Sequence, residues 1–172
     1  INRLVEKLNS EPEIAAVAPQ LRFPDGRIQY SCRRFPTHGN VISEMLGFNT
    51  QSEAQEWKMA DFEHASERDV DQPAGAALMV RKSILDQLDG LDERFPMFFS
   101  DVDLCKRIKD AGWRILFCAY ALVTHKGGSA VFTRRSTMIV SSHVSLIKYF
   151  FKHFRRIRDV IPNIMMALLL FI

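Results

Sequence analysis

Hydrophobic positions in this chain switch between helical and extended spacing several times, and the switches predict a series of short helices and strands. Residues 1–11 place Leu4 and Leu8 on one helical face with Ile1 a turn earlier, and Glu11-Pro12-Glu13 ends that helix. Residues 14–17 and 21–23 read as strand. Pro24-Asp25-Gly26, set between LRF and RIQYS, predicts a β-hairpin. Residues 41–46 carry a short helix. The polar stretch up to residue 71 holds Trp57 and Phe62 as isolated anchors, and its His64 reads as a surface histidine. Residues 72–81 form a small-residue turn leading into an apolar strand, and residues 83–88 a short helix stopped by Gly90.

The strongest pattern lies in residues 92–127. Ser100 reads as an N-cap, with Asp103 completing a capping box. Leu104, Ile108 and Ala111 then repeat at i, i+4 and i+7, and Gly112 closes the helix. RILFCAYALV is a continuous apolar run, as expected of a strand covered on both faces, and it ends in a loop at residues 124–128. Ligands of an open α/β sheet sit beyond the carboxyl ends of its strands, which is where His125 falls. Asp101 and Asp103 admit two readings. The helix dipole favours carboxylates in a first turn without any catalysis. Alternatively, the apolar run Phe95 to Phe99 desolvates Asp101, raises its pKa and makes it a better general base.

Composition narrows the class. The 172 residues, 47% apolar, suffice for one packed domain. The chain starts at Ile1 and stops at Ile172 inside an apolar run, so it reads as a piece of a longer protein. Cys32, Cys105 and Cys118 show no paired spacing, which gives no disulfide framework or zinc site and suggests a reducing, cytoplasmic setting. A net charge of +3 gives no ground for a nucleic-acid partner. Residues 130–151 read as helix, followed by basic residues and the apolar IPNIMMALLLFI. That run is shorter than the roughly 20 residues a membrane-spanning helix needs. Residues 131–172 are therefore either a segment at the inner face of the cell membrane or helices packed on the domain.

Gly90, Asp92, Glu93 and Phe95, then Phe98-Phe99, Asp101, Asp103, Leu104 and Arg107 stand in a familiar order. Ala111-Gly112-Trp113, a strand, and His125, Gly127, Gly128 and Ser129 continue it. The arrangement resembles the C-terminal half of the GT-A catalytic domain of family 2 glycosyltransferases, in particular bacterial rhamnosyltransferase-like members. Upstream, Val17, Ala18, Pro19, Leu21, the Pro24-Asp25-Gly26 turn, Gln29, Ser31 and Pro36 fit the same family, as do Gly75, Ala76 and Arg81. Ser100 departs from it, standing where the family usually carries Glu.

The resemblance implies an α/β fold: a mixed sheet flanked by helices over residues 1–130, the C-terminal part of a GT-A domain, followed by a C-terminal helical segment over 131–172. It also implies inverting transfer from a nucleotide-diphosphate sugar to a hydroxyl of a saccharide or lipid-linked acceptor. Asp101 would be the general base, and Gly75, Ala76, Asp103 and Arg107 would lie on the donor and acceptor side. A Mg²⁺ or Mn²⁺ ion would neutralise the leaving diphosphate, with His125 as a candidate ligand. Arg33 and Arg34 are either diphosphate contacts or part of a solvated hairpin strand. Asp69 and Asp71 sit in the wrong place for the family's metal motif. The nucleotide-binding half is missing, so the chain alone is expected to be inactive. A metal-dependent hydrolase using Asp101, Asp103 and His125, or a non-catalytic carbohydrate-binding domain of the same fold, are the rival classes.

Overall fold

A computed structural model describes residues 1–47, 57–127 and 135–170. Helix α1 (Asn2–Ser10) leads into β1 (Ile14–Arg22), followed by β2 (Ile28–Gln29), β3 (Cys32–Arg33) and α2 (His38–Met45). Next come β4 (Arg68–Asp69), β5 (Gln72–Pro73), β6 (Met79–Val80) and α3 (Lys82–Gln87). The order closes with α4 (Ser100–Asp110), β7 (Arg114–Thr124), α5 (Arg135–His153) and α6 (Val160–Leu169).

The fold is α/β, a curled mixed sheet flanked by helices. Strands β1 and β7 run parallel, β2 and β6 pair antiparallel with the two ends of β1, and β4 pairs antiparallel with the start of β7. Strands β3 and β5 make a small separate pair. Both faces of β1 are covered, and eight of its nine residues are buried, as a central parallel strand requires. Alternation along β7 serves two cores. Ile115, Phe117 and Ala119 pack with Leu104, Cys105 and Ile108 of α4, while Leu116 and Cys118 pack with Leu4 and Leu8 of α1.

The expected two-sided burial of β7 holds only for its first half. Pro19 of β1 lacks an N–H for the ladder, and the register slips beside it: Pro19 pairs with Cys118 but Gln20 with Leu122. Tyr120 within the slip, and Leu122 and Val123 beyond it, are exposed.

Helices α5 and α6 pack onto the domain through a third core, in which Tyr149, Phe150 and Met166 meet Val41, Phe95 and Val102. Among the described residues no helix is long and apolar enough to cross a membrane. Gly128, Ser129 and the start of the segment expected from residue 130 lie outside the described residues.

Two local expectations are corrected. The capping residue of α4 is Phe99, in the left-handed region at φ 68°, with no side-chain cap; Ser100 is already helical. No capping box forms: Phe99 holds the cap position, and the Asp103 carboxylate is engaged by Arg107, Lys152 and His153. His64 is not on the surface but fully buried. Its Nε2 accepts from the Ser31 and Cys32 amides at 3.2 and 3.1 Å, and its Nδ1–H donates to the Phe62 carbonyl at 2.6 Å. Those partners fix one neutral tautomer. Burial is the main reason its pKa is pushed below the ordinary value.

His64 makes the stability of the chain depend on pH. The unfolded chain takes up the proton first, so stability is expected to decline as pH falls below roughly 6.5. Urea unfolding of the 172-residue chain at several pH values between 7 and 5 checks it. His64→Leu should flatten that dependence while costing roughly 1–3 kcal/mol for each amide left without its acceptor.

Candidate active site

Asp101 sits in the first turn of α4, half-buried, where a run of turns and bends enters the helix through a left-handed Phe99. A left-handed backbone at a bulky residue costs on the order of 1 kcal/mol or more, and such strain gathers at functional sites. The turn sends the Phe98 and Phe99 rings to the wall of the cavity that Asp101 also lines. Phe95 does not join that wall; it is buried in the third core, and Met97 is exposed.

Gly75, in the turn between β5 and β6, donates its N–H to Asp101 Oδ2 at 2.7 Å, and Val102 donates to Oδ1 at 2.9 Å. The approach leaves no room for a side chain: a Cβ on Gly75 would lie 2.8 Å from Asp101 Cβ and 3.1 Å from Oδ2. The two stretches singled out from the sequence, the small-residue turn and the acidic motif, are thus in direct contact. Ala76 follows Gly75 in the exposed turn. Gly75→Ala is expected to displace the carboxylate and lower any activity that depends on it by roughly 10²-fold, the cost of an ångström-scale misplacement. Turnover measured beside the melting temperature separates that effect from unfolding.

The main cavity at Asp101 has a volume of about 470 Å³. Its polar lining comes from Arg33, Glu44, Gln72, Ser142 and His143, and Trp57 joins the two phenylalanines as aromatic wall. Trp57 Nε1 is buried with no hydrogen-bond partner among the described residues. Leu146 of α5 and Leu170 just past α6 close the far side. On the other side of Asp101 a second cavity of about 300 Å³ lies between Gly75, Leu78, Leu85, Leu91, Ser100 and Leu104.

Arg33 lines the main cavity, with Nη1 donating to the Cys32 carbonyl at 3.1 Å. Arg34 lines a neighbouring cleft with Trp57. Arg81 spans α1 and β1, donating to the carbonyls of Leu8 and Ile14. The cavity contributions of Trp57, Glu44, Gln72, Ser142, His143 and Leu146 are not visible in the sequence, because these residues come from separate segments with no motif among them.

Asp103 and Arg107 face elsewhere. Asp103 is fully buried, with Arg107 Nε at 2.8 Å, His153 Nε2 at 2.7 Å and Lys152 Nζ at 2.6 Å. Arg107 also donates to the Leu88 and Gly90 carbonyls, and Lys152 also pairs with Asp92 at 2.7 Å. Burial alone would raise the Asp103 carboxyl, but the bonds from His153, Lys152 and Arg107 outweigh it and hold its pKa below the ordinary value. The second aspartate of the motif therefore ties α4 to α5, while the first faces the cavity.

His125 hydrogen-bonds through Nδ1 to Gln29 at 3.0 Å, and its backbone joins Arg22. It does not line the cavity of Asp101. Asp69 pairs with Arg114 at 3.1 Å, and Asp71 faces Lys109. Among the described residues no three His, Cys, Asp or Glu side chains converge to hold a metal ion, so these residues by themselves do not make a metal site. The three cysteines are free and buried, with burial pushing Cys32 up to about 12 and Cys118 to about 11; none is an activated nucleophile.

Comparison with known proteins assigns the class. Residues 12–143 match the profile described as "Glycosyltransferase like family 2", and the chain belongs to that family. It is 32% identical over 127 residues to the N-acetylglucosaminyl-diphospho-decaprenol L-rhamnosyltransferase of Mycobacterium tuberculosis, covering 73% of this chain and 41% of that protein. It is 34% identical over 87 residues to rhamnosyltransferase WbbL of Escherichia coli K12, covering 50% of this chain and 31% of that protein. With the O-antigen biosynthesis protein RfbC of Myxococcus xanthus it shares 29% identity over 121 residues, 66% of this chain and 9% of the relative.

Proposed function

We propose that this chain forms the acceptor-side part of an inverting glycosyltransferase acting in cell-surface polysaccharide or glycolipid synthesis, with Asp101 as the general base. The observation that carries the reading is Asp101 at the cavity wall, fixed by the Gly75 and Val102 amides. Each amide occupies one lone pair of a different carboxylate oxygen, which leaves acceptor capacity for an incoming hydroxyl. The acceptor oxygen attacks the anomeric carbon as its proton passes to Asp101; the bond from that carbon to the nucleoside diphosphate breaks, and the configuration inverts. Trp57, Phe98 and Phe99 offer apolar faces to a sugar ring, and Arg33 offers a cation to a phosphate.

The mycobacterial relative is named for a lipid-linked diphosphosaccharide, and we place this chain's acceptor in the same chemical class, a saccharide or lipid-linked saccharide. Because the chain spans 41% of that relative, we assign recognition of the nucleotide to residues outside these 172, and expect the chain alone not to turn over donor. The free, buried cysteines suit the cytoplasmic side of the cell. For Mg²⁺ or Mn²⁺, His125 would supply at most one ligand, and the others would come from outside the described residues.

The test is donor turnover by the whole protein that contains this chain, over UDP-, dTDP- and GDP-sugars with lipid-linked acceptors, with and without EDTA. The anomeric configuration of the product is read by NMR. A retained configuration removes the single-displacement mechanism. Binding of saccharide without transfer from any donor turns the reading into a carbohydrate-binding domain of the same fold.

A further inference from the structure

Helix α6 is amphipathic in the reverse sense of a surface helix. Its inner face holds Asn163 and Met166, both buried; Asn163 donates to the Phe154 carbonyl at 3.0 Å and pairs with His38 at 2.6 Å. Its outer face is apolar. Ile161, Ile164, Met165 and Leu168 fall at i, i+3, i+4 and i+7 and are exposed. Ile157, in the short 3₁₀ turn Ile157–Asp159 ahead of the helix, extends the stripe and is 94% exposed. A contiguous apolar face of this kind marks an interaction surface.

Charge selects the partner. Arg155, Arg156 and Arg158 are all exposed at the start of the stripe. Asp159 is the sole acid from residue 152 onward, and it accepts the Arg156 amide at 3.0 Å. Cations at one end of an exposed apolar helix match an anionic lipid surface, where the side chains enter the acyl boundary and the arginines meet headgroup phosphates. A second copy offers these arginines no matching acid: a parallel two-fold pair would set the cationic ends against each other, and an antiparallel pair would set them against the end of α6, which carries no carboxylate.

We propose that the outer face of α6, with Arg155, Arg156 and Arg158, docks this protein on an anionic membrane surface. The docking stands on the geometry of α6 alone. One consequence rests on the transferase reading: Leu170, less than a turn past the helix, lines the Asp101 cavity, so docking brings that cavity to the height at which a lipid-linked acceptor presents its sugar.

The experiment is co-sedimentation of the 172-residue chain with vesicles of equal parts phosphatidylglycerol and phosphatidylcholine, and with phosphatidylcholine alone. Two variants run beside it: Ile161→Glu with Met165→Glu, and Arg155→Gln with Arg156→Gln and Arg158→Gln. These side chains are exposed, and circular dichroism with a thermal melt verifies that each variant folds. Binding is expected on the phosphatidylglycerol vesicles, lost in the glutamate variant and weakened on the order of a hundredfold in the arginine variant. No partitioning onto either vesicle, or partitioning unchanged by both variants, overturns the proposal. So does a dimer by light scattering that the glutamate variant dissolves without any vesicle binding, which would give the face to a second copy. The readout needs no sugar donor, so it stands or fails apart from the transfer chemistry.

Discussion

Asp101→Asn in the whole protein is expected to lower kcat for sugar transfer by roughly 10²–10⁴-fold, with the donor KM little changed. The substitution keeps the size of the side chain, so the close approach to Gly75 survives. It removes the basic oxygen, and an amide cannot take the acceptor's proton. It also has one oxygen where the carboxylate has two, so either the Gly75 or the Val102 amide loses its acceptor. That second effect is a stability cost of about 1 kcal/mol, small beside the kinetic one. Single-turnover rates together with donor affinity by calorimetry separate the two. Unchanged turnover would move the base to another residue of the cavity, and Glu44 is the other carboxylate there.

The sequence carried the sheet and the acidic motif, but not the difference between the two aspartates. Leu4 and Leu8, the Pro24-Asp25-Gly26 hairpin, the stripe of α4 and the apolar run of β7 are local patterns, and each formed the element it predicts. Asp101 and Asp103 are two residues apart, and their spacing puts them on different sides of α4. Of the partners that claim Asp103, Arg107 is a turn away, but Lys152 and His153 lie about fifty residues away on α5, and no short-range signal links them. His64 failed for the same reason. Histidine in a polar stretch looks solvated until the Ser31 and Cys32 amides, more than thirty residues earlier, are folded against it. The capping box failed because Phe99, in the left-handed region, holds the cap that the sequence pattern gave to Ser100, and because Asp103 is engaged by distant partners. Trp57 could be read as an anchor, yet not as a cavity wall, since its partners Arg33, Phe98 and His143 come from three distant segments.

Asp103→Ala is expected to destabilise the chain by roughly 3–5 kcal/mol, the range found when one partner of a buried ion pair is removed. Lys152 keeps Asp92 and Arg107 keeps two carbonyls, but each loses the fully buried carboxylate both share. The loss should be felt at α5 first, because Lys152 and His153 are its last residues and Asp103 is their tie to α4. Hydrogen exchange should therefore quicken in α5 and α6 before the β1–β7 sheet, with urea unfolding giving the global change. The wild type carries the matching pH signature. Asp103's pKa is held down in the folded state, so its contribution is complete above roughly pH 4 and is lost as pH falls through the folded value. Lys152→Met with Asp103→Leu removes a charge of each sign and should recover part of the stability that Asp103→Ala loses, since an apolar replacement of a buried pair leaves no stranded partner from that pair. Equal loss in the single and double variants would show that Lys152 is not the stranded partner behind the loss. Because Leu146 of α5 and Leu170 past α6 wall the Asp101 cavity, loosening this tie should also slow transfer, even though Asp103 itself faces away from the cavity.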